Sequence, residues 1–137
     1  MTQWREQRDR AVAAHSAALE RQRAAEAAQG RELVADFVRE AKARGLQPEP
    51  LSAQSYNGST RFKTKLRGWY LNQARTIAVG EDAKYYVLLV PHSFQARFTG
   101  VAPAPQDPPK IVGEGGRDGE SMSLKEMLVR RLSQVEG

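Results

Sequence analysis

The chain has 137 residues, 27% of them charged and 40% hydrophobic, with a formal charge of +5 and no cysteine. That length suits one domain with an appended arm, and the lack of thiols excludes disulfides and thiolate metal sites. The opening residues MTQWREQRDR hold no apolar run of signal-peptide type, and the longest apolar run, Tyr85 to Pro91, is too short to cross a bilayer. A soluble cytoplasmic protein is the expectation.

Residues 3–29 are rich in Ala, Arg, Glu and Gln, strong helix formers, and contain neither proline nor glycine. The apolar stripe of this helix is thin: Trp4, Ala11, Val12, His15, Ala18 and Leu19. A helix of this kind is marginal alone and needs a surface to pack on. Residues 1–30 are therefore expected to form an N-terminal helical arm, which lies back on its own domain, pairs with a second copy or frays. Pairing would give a homo-oligomer through this helix. Gly30 marks a kink or boundary. From Arg31 to Arg44 the stripe is clearer, with Leu33, Val34, Phe37, Val38 and Ala41 on one side. Gly45 is placed to end that helix, and Pro48 and Pro50 prevent its resumption. An α+β domain spanning 31–137 begins here.

Leu51 to Thr60 reads as a connection around the tight turn Asn57-Gly58, with Tyr56 and Phe62 flanking a small hairpin. Strand-like alternation follows over Thr64–Leu71, Thr76–Val79 and Lys84–Val90. The short turns between these runs join only antiparallel neighbours, which implies a meander. Phe94, Ala96 and Phe98 alternate with polar residues and predict a fourth strand. Val101 to Pro109 holds four of the seven prolines and reads as a stiff crossing segment. Lys110-Ile111-Val112 suggests an edge strand, and residues 113–119 form a glycine-rich loop. Ser123 with Glu126 matches a capping box, ahead of Leu124, Met127, Leu128, Leu132 and Val135 at helical spacing. The fold class is thus α+β: a small antiparallel β meander packed against two helices, with an additional N-terminal helical arm.

Charge is unevenly spread. Residues 1–50 carry nine Lys/Arg against eight Asp/Glu, residues 51–100 seven against two, and residues 101–137 five against six. The excess thus sits in the middle segment. Its densest stretch is Arg61-Phe62-Lys63-Thr64-Lys65-Leu66-Arg67, where cations fall on every second residue. In a strand, Arg61, Lys63, Lys65 and Arg67 share one face, and Trp69 follows on it. Cations beside an aromatic suit an anionic partner, a nucleic acid or an acidic protein, with Trp69 as a stacking or packing surface. The competing explanation is an edge strand protected by charge.

The glycine-rich loop is a candidate phosphate-binding loop through Gly115, Gly116, Arg117, Ser121 and Ser123, because helix N-termini collect anions. It lacks the ending of a P-loop and carries Glu114, Asp118 and Glu120, which repel phosphate. No catalytic constellation can be assembled: His92-Ser93 are sequence neighbours, and Asp118 and Glu120 lack a third ligand. No metal and no cofactor is expected.

Gly68-Trp69-Tyr70-Leu71, Tyr86-Val87-Leu88 and Arg117-Asp118-Gly119-Glu120-Ser121 give the stretch from Glu32 to Leu128 a resemblance to a loose family. Its members are short proteins of unknown function from high-GC Gram-positive bacteria. The N-terminal arm lies outside the resemblance, which implies no activity and no site residue. The sequence therefore points to a non-enzymatic binding protein with a basic strand face. The alternative is a structural protein that self-associates or docks through its N-terminal helix.

Overall fold

The computed structural model describes residues 2–113 and 121–134. It contains α1 (Thr2–Ala43), β1 (Glu49–Ser55), β2 (Arg61–Tyr70), β3 (Ile77–Gly80), β4 (Tyr85–Val87), β5 (Leu89–Val90), α2 (Ala96–Thr99), β6 (Ile111–Gly113), β7 (Ser121–Ser123) and α3 (Leu124–Leu132). The fold is α+β with a mostly antiparallel sheet. Among the described residues no helix is long and apolar enough to cross a membrane.

α1 runs without a break through Gly30, for about 63 Å at the usual helical rise. Gly30 is needed for contact instead: a Cβ there would meet the carbonyl oxygen and Cβ of Pro108, each at 2.9 Å. Burial along α1 starts at this residue and continues through Val34, Phe37, Val38 and Ala41. Residues 2–24 are exposed around the whole helix. The Pro-rich segment is held to α1 at this crossing by the Arg31–Asp107 ion pair at 3.2 Å.

Five strands form one sheet in the order β4-β3-β2-β1-β5. β2, β3 and β4 make the expected meander, and β1 extends it where a connection is expected from the sequence. The alternation was present there, as Leu51, Ala53 and Ser55 all point inward, but the small residues and Pro50 concealed it. β5 pairs in parallel with β1. Only Leu88 separates β4 from β5, so one run of chain supplies both edges of the sheet. Leu88 joins them, donating its N–H to Thr76 at 2.7 Å and accepting from the Gln54 N–H at 2.8 Å. The sheet thereby closes on itself and leaves no free edge at this junction.

Closure creates two apolar clusters. The inner one holds Leu51, Ala53, Tyr70, Ala78, Tyr86 and Leu88. Ala53 and Ala78 alternate with the larger side chains so that they fit inside so narrow a sheet. At Gly68, paired with Gly80, a Cβ would approach the Val79 carbonyl oxygen to 2.1 Å. The outer cluster lies between the other sheet face and the helices. Trp69, Leu71, Ile77, Val79 and Tyr85 meet Val34, Phe37, Val38 and Ala41 of α1 and Leu124, Met127 and Leu128 of α3. Phe37 contacts Trp69 edge-on, with centroids 5.7 Å apart.

Two further outcomes concern the second half. The expected strand through Phe94, Ala96 and Phe98 is a turn leading into the short helix α2. The same spacing places Phe94 and Phe98 one helical turn apart, where they touch edge-on at 5.7 Å. The expected edge strand near Ile111 exists as β6, paired with β7 in a separate two-stranded sheet. α3 begins as its capping box predicts, the Ser123 hydroxyl accepting from the Glu126 N–H at 3.1 Å.

Candidate functional site

β2 carries the basic stripe on its outward face. Arg61, Lys63, Lys65 and Arg67 are exposed, while Phe62 is buried and Thr64 and Leu66 are half-buried. The stripe crosses an irregularity, for the register with β1 shifts between Pro50 and Ser52. Thr64 fills the gap, donating its hydroxyl to the Leu51 carbonyl at 2.6 Å and accepting from the Leu66 N–H at 3.1 Å. Such a bulge bends the strand and increases its twist.

The four cations differ in what they do. Arg61 is committed to the fold: Nε donates to Ser52 Oγ, and Nη2 donates to the carbonyls of Ser52 and Arg75. Arg67 donates to the Pro48 carbonyl at 3.2 Å and pairs with Glu81 at 3.4 Å. Lys63 and Lys65 have no hydrogen-bond or ion-pair partner among the described residues. Trp69, on the same face, is 0% exposed and donates Nε1–H to the Leu46 carbonyl at 3.0 Å. It packs the core and offers no ring to a ligand.

Aromatic surface comes from elsewhere. Phe94 and Phe98 are 69% and 79% exposed, and α2 packs against β2. Val101 N–H donates to the Lys63 carbonyl at 2.9 Å. Gly100, at φ +77°, lies so close to Lys63 that a Cβ would reach its carbonyl at 2.7 Å. The exposed phenylalanine pair and Arg97 are thus anchored to the strand that carries the unpaired lysines. Sequence reasoning read these phenylalanines as strand residues, and the signal it missed was their i, i+4 spacing.

Of the glycine-rich loop, Gly115, Gly116 and Arg117 lie outside the described residues. Ser121 belongs to β7, and Ser123 spends its hydroxyl on capping α3. In the His92-Ser93 pair, His92 is exposed with its ring edge-on to Phe62 at 5.9 Å. Ser93 Oγ accepts from the Ala96 N–H, so that hydroxyl caps a turn.

A second basic feature was not legible in the sequence. A cleft of about 690 Å³ opens between the β2–β3 turn, the start of β1 and the last turns of α3. Arg75 stands on one wall, Arg130 and Arg131 on another, with Glu49 and Gln134 at the sides. The Arg75 guanidinium lies 4.7 Å from the Tyr70 ring centre and pairs loosely with Glu49 at 3.9 Å. Half-buried Arg131 donates Nε to the Tyr70 carbonyl at 2.8 Å. Burial lowers the pKa of Arg131, and the attraction of Glu49 opposes that shift. Burial pushes the Tyr70 phenol up, but hydrogen bonds from Ser52, Arg75 and Arg61 outweigh it and bring it below its ordinary value.

Trp69, Tyr70, Leu71, Tyr86 and Leu88, from two of the three motifs behind the family resemblance, pack inside the two clusters. Comparisons with protein-family models, curated proteins and solved structures found no significant match to this chain.

Proposed function

We propose that this is a non-enzymatic, cytoplasmic binding protein that holds single-stranded nucleic acid against the outer face of β2. One observation carries the reading: Lys63 and Lys65 are exposed and unpaired among the described residues, on the strand to which the exposed Phe94–Phe98 pair is anchored. Lysines neutralise phosphates, and exposed aromatic faces stack on unpaired bases. Arg97 adds charge from α2, while Arg61 and Arg67 shape the strand and contribute field without being free to move. An acidic protein would use the same lysines but would gain nothing from stacking.

The test is binding of labelled single-stranded and duplex oligonucleotides to the full chain at two salt concentrations. Single strands should bind more tightly, with an affinity that falls as salt rises. Replacing Lys63 and Lys65 by alanine should reduce the slope of log affinity against log salt by about 0.7 per lysine. Equal affinity for both polymers, or a slope that survives the double substitution, refutes the reading.

A second reading has its own observation. α1 carries Trp4, Val12 and Leu19 on a stretch that no other described element covers, with Trp4 63% exposed. An exposed helix of that length gains stability from a partner, and a second copy of this chain is the simplest one. Deleting residues 2–24 and measuring mass in solution decides it: a monomer before and after removes the reading.

A further inference from the structure

The cleft beside α3 has features that nucleic-acid binding on β2 does not use. Its described charged lining is three arginines and one glutamate, with the Tyr70 phenol beside them, so the ligand it favours is anionic. Arg75 and Arg131 reach it from separate elements, the turn after β2 and the end of α3. Arg131 is oriented by its Nε bond to the Tyr70 carbonyl, and its Nη groups have no acceptor among the described residues. A guanidinium held by one nitrogen keeps the other two available as a fork. Arg75 is similarly placed by its stacking on Tyr70. The rest of the lining mixes the polar Asn72 and Gln73 with the apolar Leu71, Ala74, Met122 and Met127, and methionine adapts to varied surfaces. A cleft of about 690 Å³ falls within the range that takes small organic ligands.

We propose that this cleft binds a phosphomonoester carried on a flat organic body, with the phosphate between Arg75 and Arg131 and the body against Leu71, Met122 and Met127. The three terminal oxygens of a phosphomonoester can accept from two guanidinium forks at once. A carboxylate, with two coplanar oxygens, satisfies one fork and leaves the other unused. Burial of the Arg131 guanidinium adds to the case, because a partly desolvated cation gains most from a bound anion.

The probe is phenyl phosphate, titrated calorimetrically into the full chain beside inorganic phosphate, phenol and benzoate. Phenyl phosphate should bind at one site per chain and more tightly than each of the other three. Gln134→Glu places a like charge on the rim and should weaken it by about tenfold or more. The Gln134 side chain has no partner among the described residues, and its backbone bond to the Arg131 carbonyl survives substitution, so this variant is expected to fold even if Arg131→Gln does not. Arg75→Gln should weaken it as well, whereas the Lys63 and Lys65 double variant should leave it unchanged. No binding of phenyl phosphate at about 5 mM, or equal binding by wild type and Gln134→Glu, overturns the proposal. Phosphate equal to phenyl phosphate overturns the place for an organic body. Phenol or benzoate equal to it overturns the phosphomonoester as the ligand class.

Discussion

Arg61 Nη2 donates to the backbone carbonyl of Arg75 at 2.9 Å, although ten-residue β2 begins at one of these residues and ends before the other. That contact is consistent only with a strand that curls, and the Thr64 bulge and closed sheet supply the curl. Arg75 at φ 62° is a non-glycine residue in the left-handed region, and the Arg61 bond helps to hold it there. Arg61→Ala should destabilise the protein by about 1–3 kcal/mol in urea unfolding, more than an exposed strand cation normally does. Arg61→Lys should recover little of that loss, since an ammonium lacks the fork that spans Ser52 and Arg75. Full recovery by lysine would mean that charge alone matters at this position.

The aromatic partner of the lysines can be identified by mutation. Trp69→Phe removes volume and leaves the Leu46 carbonyl without its donor, so it should cost about 2 kcal/mol of stability. Oligonucleotide affinity of the folded variant should not change. Phe94→Ala with Phe98→Ala should do the reverse: stability within about 0.5 kcal/mol of wild type, and loss of the preference for single strands. Fluorescence-detected unfolding and oligonucleotide titration on the same samples separate the two outcomes.

Residues 64–71, 76–79 and 84–90 were legible as strands because their alternation reflects one buried and one exposed or helix-covered face. The basic stripe was legible for the same reason, being a period of two in charge. The roles of its members were not. Arg61 and Arg67 depend on the carbonyls of Arg75 and Pro48 and on Glu81, which only tertiary structure brings near. β1 was hidden by small inward residues, and α2 by a spacing that satisfies strand and helix alike. Closure through Leu88 is a long-range pairing with no local mark. The cleft gathers Glu49, Arg75 and Arg131 from three separate parts of the chain.

Gly30→Ala should run against the usual helix rule. Alanine in a helix interior gains about 1 kcal/mol over glycine. Here the added methyl would meet the Pro108 carbonyl oxygen and Cβ at 2.9 Å, and neither is the end of a flexible chain. Displacing the Pro-rich segment costs about 1–3 kcal/mol by the measure of other overpacked sites. A net loss of about 1 kcal/mol is expected, while Gln29→Ala on the exposed side should change little. A stabilised Gly30→Ala would show that the crossing segment yields without cost.

Alkaline pH should unfold this protein through two neighbouring tyrosines. Burial raises the phenol of Tyr85 from 10.0 to about 12. Tyr86 rises to about 12 as well, by burial and then by its hydrogen bond and proximity to Asp82, whose Oδ2 accepts from the phenol at 2.6 Å. Between pH 10 and 12 the folded chain keeps protons on these phenols that the unfolded chain releases. Their stabilising contribution is complete below pH 10 and is lost as pH rises toward 12. Tyr70, shifted downward, acts in the opposite direction but is one group against two. The urea midpoint should therefore fall across this window. Tyr85→Phe should flatten the fall at little cost near neutrality, since that hydroxyl has no partner among the described residues. Tyr86→Phe should flatten it too, but with a loss of about 1–2 kcal/mol at pH 7, because Asp82 loses its donor. A midpoint that stays level from pH 10 to 12 in the wild type would mean that both phenols ionise in place without opening the sheet.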